Sequence, residues 1–214
     1  MKLFVISGLS ANKKVFEKIN FPDHLELVHL PWIEPKPNEK LNSYALRMLG
    51  ERSLPDEYCL LGYSFGGLVA QALHSIKPAK KIVILASMKT GLEKNAWMSF
   101  LNKIPLYRLV PEFFFAENKI ISWFYFRKLK HQKKLKVYFE YTKASYVKWS
   151  IDQIIQWKPH AFSEDIVQIQ GDYDAVFPNN YGTIDYRIPK ANHLFPIFYS
   201  DIVSEILAKE YQLS

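Results

Sequence analysis

Tyr58-Cys59-Leu60-Leu61-Gly62-Tyr63-Ser64-Phe65-Gly66-Gly67-Leu68 carries an apolar run into a serine set between glycines, and then into the helical spacing Leu68, Val69, Ala72, Leu73 and Ile76. A strand that turns directly into a helix forces the joining residue into a strained backbone conformation. Residues two before and two after it must then be small, and Gly62 and Gly66 meet that demand. The helix would point its free N–H groups and its dipole at Ser64, favouring negative charge there. Taken without its flanks, the glycine-bracketed serine also fits an ordinary strand-to-helix turn. The strand before it and the helix after it favour a reactive serine.

Working outward, short apolar runs bounded by turn residues recur at Leu3 to Ser7, Leu25 to Leu30, Lys81 to Ala86, Asp165 to Gln170 and Thr183 to Ile188. These read as strands. Between the early ones lie segments with helical spacing, at Lys14 to Ile19 and Tyr44 to Leu49. Strand and helix in alternation predict a mostly parallel sheet. Ile82-Val83-Ile84-Leu85 lacks any period of two, so the sheet should be covered by helices on both faces. Asp201 to Leu207 should close the domain as an amphipathic helix.

The alternation stops after Ser87. Residues 92–157 read as a helical insertion, leaving 1–91 and 158–214 as the core. The insertion is rich in aromatic residues, among them the runs Phe113-Phe114-Phe115 and Trp123-Phe124-Tyr125-Phe126. Packing must account for most of these. Adjacent residues on a helix point in different directions, however, so some, with Phe114 and Phe124 as candidates, should line a pocket. Arg127, Lys128, Lys130, Lys133, Lys134 and Lys136 form a basic cluster that is most simply a solvated helix face. A weak contact with an anionic membrane surface is the second reading.

A serine needs a base to become a nucleophile, and the base needs an acid to orient it. Of the six histidines, His24 and His29 precede the serine turn, His74 lies along the following helix, and His131 and His160 flank the insertion. His193 follows the last strand in Pro189-Lys190-Ala191-Asn192-His193, a loop expected at the carboxyl edge of the sheet beside Ser64. The acid should come from Gly171-Asp172-Tyr173-Asp174-Ala175-Val176-Phe177-Pro178, another loop at that edge, where Asp172 and Asp174 compete.

These elements resemble the α/β-hydrolase superfamily over nearly the whole chain. The serine turn matches its nucleophile elbow, and the order serine, aspartate, histidine is the family's order. Gly171, Asp174 and Pro178 resemble the family's acid loop, which assigns the acid to Asp174 and leaves Asp172 as a turn residue bonding nearby backbone N–H groups. The resemblance also implies an oxyanion hole made by the backbone N–H groups of Leu9 and Phe65, although Ser7-Gly8 stands where many members have His-Gly. It further implies that the chain starts at the family's third strand, without the usual N-terminal hairpin, and that the insertion is a cap.

Composition narrows the rest. The hydrophobic share of 49% and charged share of 23% suit a folded globular protein. The first residues are too briefly apolar for a signal-peptide core, and no run is long enough to span a membrane. A single cysteine, Cys59, forms no internal disulfide, so a cytoplasmic location is expected. The formal charge of +7 has no nucleic-acid motif beside it. No spacing of His or Cys suggests a metal, and the chemistry requires no cofactor. The expected activity is cleavage of an apolar carboxylic ester or thioester, with a small apolar acyl compound as partner. Carbon–carbon bond hydrolysis or lysis by the same triad, and a non-catalytic binding module, stay open, as does the oligomeric state.

Overall fold

The computed structural model describes residues 1–115, 135–140, 143–160, 165–178 and 184–212. Six strands form one sheet: β1 (Lys2–Ile6), β2 (Glu26–His29), β3 (Tyr58–Tyr63), β4 (Lys81–Leu85), β5 (Ile166–Gly171) and β6 (Tyr186–Ile188). Their spatial order is β2-β1-β3-β4-β5-β6, and every pairing is parallel. Parallel neighbours need crossovers, and the helices that supply them cover the sheet. Strands β3 and β4 are buried almost throughout, as their uninterrupted apolar sequence requires.

The helices are α1 (Leu41–Met48), α2 (Phe65–Ile76), α3 (Ala96–Lys103), α4 (Ala144–Gln156), α5 (Phe195–Phe198) and α6 (Ser200–Glu210). The chain passes from β1 outward to β2 and then returns to lay β3 on the other side of β1. This reversal opens a crevice at the carboxyl ends of β1 and β3, where α/β sheets place their ligands. Within that crevice Ile6 is in register with Gly62.

Three sequence expectations change in detail. The helical spacing at Lys14 to Ile19 is realised as one 3-10 turn, Lys13–Phe16, started by Asn12, whose side chain accepts the Lys14 N–H at 2.9 Å. Among the described residues the last strand begins at Tyr186, while Thr183, where the sequence places its start, lies outside them. Asp185 breaks the ladder, because its carboxylate accepts the Gln168 N–H at 2.9 Å and the Lys89 ammonium at 3.0 Å. The strand expected over the apolar run Tyr58 to Leu61 extends as β3 to Tyr63, where Gly62 and Tyr63 pair with Ile84 and Leu85.

Of residues 92–157, the described parts are α3, the 3-10 turns Leu106–Leu109, Glu112–Phe115 and Lys136–Tyr138, and α4. This segment returns to the core beside β1. Ala11 bridges to Phe139, the Asn12 N–H donates to Tyr138 O at 2.8 Å, and the Glu140 N–H donates to Ser10 O at 2.9 Å. No helix among the described residues is long and apolar enough to cross a membrane.

Candidate active site

Ser64 sits at the junction of β3 and α2 with φ 53° and ψ −121°, a region that L-residues occupy at a cost of roughly 1–3 kcal/mol. Surrounding hydrogen bonds hold it there. Its N–H donates to Leu85 O at 2.8 Å, and its carbonyl accepts from Ser87 Oγ at 2.7 Å and from the Gly67 N–H at 2.9 Å. The glycines are sterically required. A Cβ on Gly62 would lie 2.4 Å from Gly66 O, and one on Gly66 would lie 2.3 Å from the carbonyl oxygens of both Ile6 and Ser7. Ser64 makes no side-chain cap bond to α2, so its hydroxyl is not spent on the helix.

His193 stands over this hydroxyl. Its Nε2 is 2.9 Å from Ser64 Oγ, and its Nδ1 is 2.7 Å from Asp174 Oδ2. A carboxylate can only accept, so Nδ1 carries the proton and Nε2 presents its lone pair to the serine. All three side chains are buried, with residue exposures of 2% for Ser64, 4% for Asp174 and 5% for His193. Asp174 is anchored from both sides. Its Oδ1 accepts the N–H groups of Val176 at 2.8 Å and Phe177 at 3.0 Å, and its Oδ2 accepts the Gln170 amide at 2.9 Å.

The structure thus brings the three sequence-predicted side chains together and sets Asp172, His24 and His74 apart from them, while His131 lies outside the described residues. Asp172 is exposed and lies 3.8 Å from Arg187, and it makes none of the backbone turn bonds expected of it. Asp174 makes those bonds, because its buried carboxylate is the one facing the N–H groups of the next turn. His24 meets Tyr211 O, and His74 accepts the Ala79 N–H, both away from Ser64.

The histidine loop is fixed by close packing. A Cβ on Gly171 would come within 2.4 Å of Ala191 O, so only glycine lets the acid and histidine strands approach this closely. The Tyr63 hydroxyl donates to His193 O at 3.1 Å, the Tyr173 N–H donates to Ala191 O at 2.9 Å, and Asn192 Oδ1 accepts the Leu194 N–H at 3.0 Å.

The loop after β1 lies beside the serine. A Cβ on Gly8 would be 3.3 Å from Ser64 Cβ. Trp32 Nε1 pins this loop by donating to Gly8 O at 2.9 Å and Ala11 O at 3.1 Å, while Ser10 takes φ 60°. Leu9, next to Gly8, and Phe65, the first residue of α2, are both buried.

Aromatic rings surround the turn. Trp32 stacks on Phe65 at 5.3 Å and contacts Tyr146 at 5.5 Å, and Phe65 meets Trp149 edge-on at 5.9 Å. Tyr146 and Trp149 come from α4, so the insertion packs directly on the elbow. Of the two candidate pocket residues, Phe114 is exposed, its ring 4.2 Å from Phe113, and Phe124 lies outside the described residues. Among the described residues no group of three His, Cys, Asp or Glu side chains is arranged to hold a metal ion.

Solved structures match this arrangement along nearly the whole chain. A lipase-esterase related protein from Clostridium acetobutylicum covers 98% of this chain with 93% of its own, at TM-score 0.66 and 12% identity. The α/β hydrolase MGS-M2 from a Medee basin deep-sea metagenome library covers 100% with 90% of its own, at TM-score 0.65 and 12% identity. The chain has the α/β-hydrolase fold. A thermophilic esterase from Thermogutta terrifontis covers 99% of the chain with 91% of its own, at TM-score 0.58 and 14% identity. No protein-family model and no curated protein matches the sequence. Within the α/β-hydrolase fold, Ser64 ends the elbow strand and Asp174 and His193 follow the next strands but one and but two, all at the carboxyl edge.

Proposed function

We propose that this protein is a serine hydrolase that cleaves an apolar carboxylic ester or thioester through an acyl-enzyme. One observation carries the reading: His193 bridges Ser64 Oγ and Asp174 Oδ2 at 2.9 and 2.7 Å inside a buried site. In the proposed reaction Ser64 Oγ attacks the acyl carbon while its proton passes to His193 Nε2. Asp174 holds the Nδ1 tautomer and stabilises the imidazolium. The backbone N–H groups of Leu9 and Phe65 would take the oxyanion, helped by the N-terminal dipole of α2. His193 then returns the proton to the leaving alcohol or thiol, and a water activated by the same nitrogen frees the acid.

An apolar acyl group is favoured by the rings of Trp32, Phe65, Tyr146 and Trp149 beside the serine turn. Structural neighbours with esterase and lipase activity in their names agree with hydrolysis as the reaction class.

The test is a series of linear esters from acetyl to decanoyl, run with the wild type and Ser64→Ala. The expected result is a specificity constant that rises with chain length before falling. Each buried methylene contributes up to about 0.8 kcal/mol, so two raise it roughly tenfold. Turnover should be absent throughout in the mutant. Undiminished turnover without the Ser64 hydroxyl would refute the reaction, and a flat series would refute the apolar acyl pocket.

A further inference from the structure

The Leu9 N–H, one of the two proposed oxyanion donors, shares its peptide plane with Gly8 O. In a planar trans peptide the N–H points away from the carbonyl oxygen, so whatever grips Gly8 O also aims the Leu9 N–H. Two donors grip it. One is the Ala11 N–H at 2.9 Å, and the other is Trp32 Nε1 at 2.9 Å. The first closes a β-turn over Gly8 to Ala11, in which Ser10 takes φ 60°. A residue with a side chain holds that conformation only at a cost, so the turn needs support from outside. The same indole N–H reaches Ala11 O at 3.1 Å and braces the far end of the turn.

The carbonyls do not need the indole to be satisfied. Gly8 O already accepts the Ala11 N–H, and Ala11 O accepts the Ser7 hydroxyl at 2.6 Å. What the indole adds is orientation. Gly8 supplies none, because a residue without Cβ rotates freely, and a Cβ there would press on Tyr63 Cε1 at 3.0 Å and Ser64 Cβ at 3.3 Å. Of the other N–H groups in the turn, that of Ser10 donates to Tyr146 Oη at 3.4 Å, while no bond from the Leu9 N–H is found among the described residues. The ring of Trp32 also lies against the second proposed donor. It stacks on Phe65 with centroids 5.3 Å apart and planes 20° from parallel, and Phe65 follows Ser64 directly as the first residue of α2.

We propose that Trp32 is a positioning residue for the oxyanion hole, its N–H orienting the Gly8–Leu9 peptide while its face fixes the distance from that peptide to Phe65. The proposal rests on the serine-hydrolase reading above. Donors held in place before the reaction need no reorganisation as the oxyanion forms. They stabilise the transition state more than the bound ester, whose carbonyl oxygen carries less charge. Loss of the Trp32 N–H should therefore appear in kcat and not in KM.

Two variants separate this role from core packing. Trp32→Phe keeps an aromatic face for Phe65 and removes the donor. Trp32→His has a smaller ring, but imidazole matches the five-membered half of the indole and returns a nitrogen, Nε2, to the place of Nε1. Each is assayed with a short soluble acetyl ester at about pH 8, where histidine is neutral, and with a trifluoromethyl ketone inhibitor. Ser64 Oγ bonds to the ketone carbon, the hydroxyl proton passes to His193, and the ketone oxygen keeps the negative charge, so this inhibitor reads the hole directly. Trp32→Phe should lower kcat about tenfold to hundredfold with KM changed less than about twofold, and should weaken the ketone by a similar factor. Trp32→His should exceed Trp32→Phe in kcat on the order of threefold or more, the worth of one hydrogen bond. A packing role predicts the opposite ranking, because the smaller ring leaves the larger cavity. Unchanged kcat in Trp32→Phe, a rise in KM that accounts for the loss, a chain that no longer melts cooperatively, or Trp32→His poorer than Trp32→Phe would overturn the inference and leave the hydrolase reading intact. A wild type that neither turns over the ester nor binds the ketone would overturn that reading and the inference with it.

Discussion

The side-chain amide of Gln170 donates to Asp174 Oδ2 at 2.9 Å, the same oxygen that faces His193 Nδ1. Gln170 Nε2 also donates to Phe177 O at 2.8 Å, so one residue of β5 ties the acid to its own loop. In the proposed reaction it would act through Asp174, as a positioning residue. Hydrogen bonds to charged groups contribute roughly 1.5–3 kcal/mol. Gln170→Met keeps the volume and removes both donors. It should lower the specificity constant about tenfold or more, with a loss of thermal stability from the orphaned Phe177 carbonyl. Steady-state kinetics and a melting curve read both effects, and full activity would show that Asp174 needs no such support.

Asp174→Asn should reduce turnover by around 10⁴, the scale seen when a triad aspartate of a serine protease loses its charge. Asp172→Asn should change it little, because Asp172 is exposed and its ionic neighbour is Arg187. Single-turnover rates of the two variants decide the matter, and the reverse ranking would move the acid to Asp172.

The glycines of the elbow can be ranked against a permissive one. A Cβ at position 66 would collide with two backbone carbonyls at 2.3 Å, and neither can rotate away. Gly66→Ala should therefore cost at least about 3 kcal/mol, lowering Tm by roughly 6–12 °C for a chain of this size. Gly50 has φ +64° but nothing within 4 Å of its would-be Cβ. Gly50→Ala should cost only about 1 kcal/mol, the backbone term alone. Equal melting temperatures in the two variants would contradict the packing described at the elbow.

The elbow was legible in the sequence because its constraints are local. Gly62, Ser64 and Gly66 answer to a steric problem solved within five residues, and the strand and helix flanking them are strongly patterned. His193 and the acid-bearing loop could be placed because parallel topology sends every strand-end loop to one edge, whereas the choice of Asp174 over Asp172 in that loop rests only on the resemblance to the α/β-hydrolase acid loop. What escaped depends on distant contacts. Gln170 reads as an ordinary inward strand residue, and only the folded loop turns its amide toward Asp174. The late start of β6 depends on Asp185 reaching Gln168 and Lys89, which no local pattern encodes. The bridge from Ala11 to Phe139 joins positions far apart in sequence through backbone groups that carry no side-chain signature.

Acid stability should depend on Glu39. Arg47 grips its carboxylate with Nε and Nη2, both at 2.8 Å, and this hydrogen-bonded pairing holds the carboxyl below its ordinary range. A depressed folded-state pKa gives stability that is complete above the unfolded value near 4.3 and is lost as pH falls through the folded value. Glu39→Gln should thus cost up to about 1 kcal/mol near neutrality, given the partial exposure of Arg47, and almost nothing in strong acid. Denaturant melts of both proteins across the acid range read the difference, and a gap that widened on acidification would contradict the assignment.

In the proposed reaction Ser64, through its hydrogen bond to His193, is the activated nucleophile. A fluorophosphonate reacts with such a serine and leaves ordinary ones alone, so intact-mass and peptide mapping after treatment tests it directly. One phosphonyl group per chain is expected on the peptide bearing Ser64, and none on Ser64→Ala or His193→Ala. Labelling at another residue, or a wild-type protein that stays unlabelled, would contradict it.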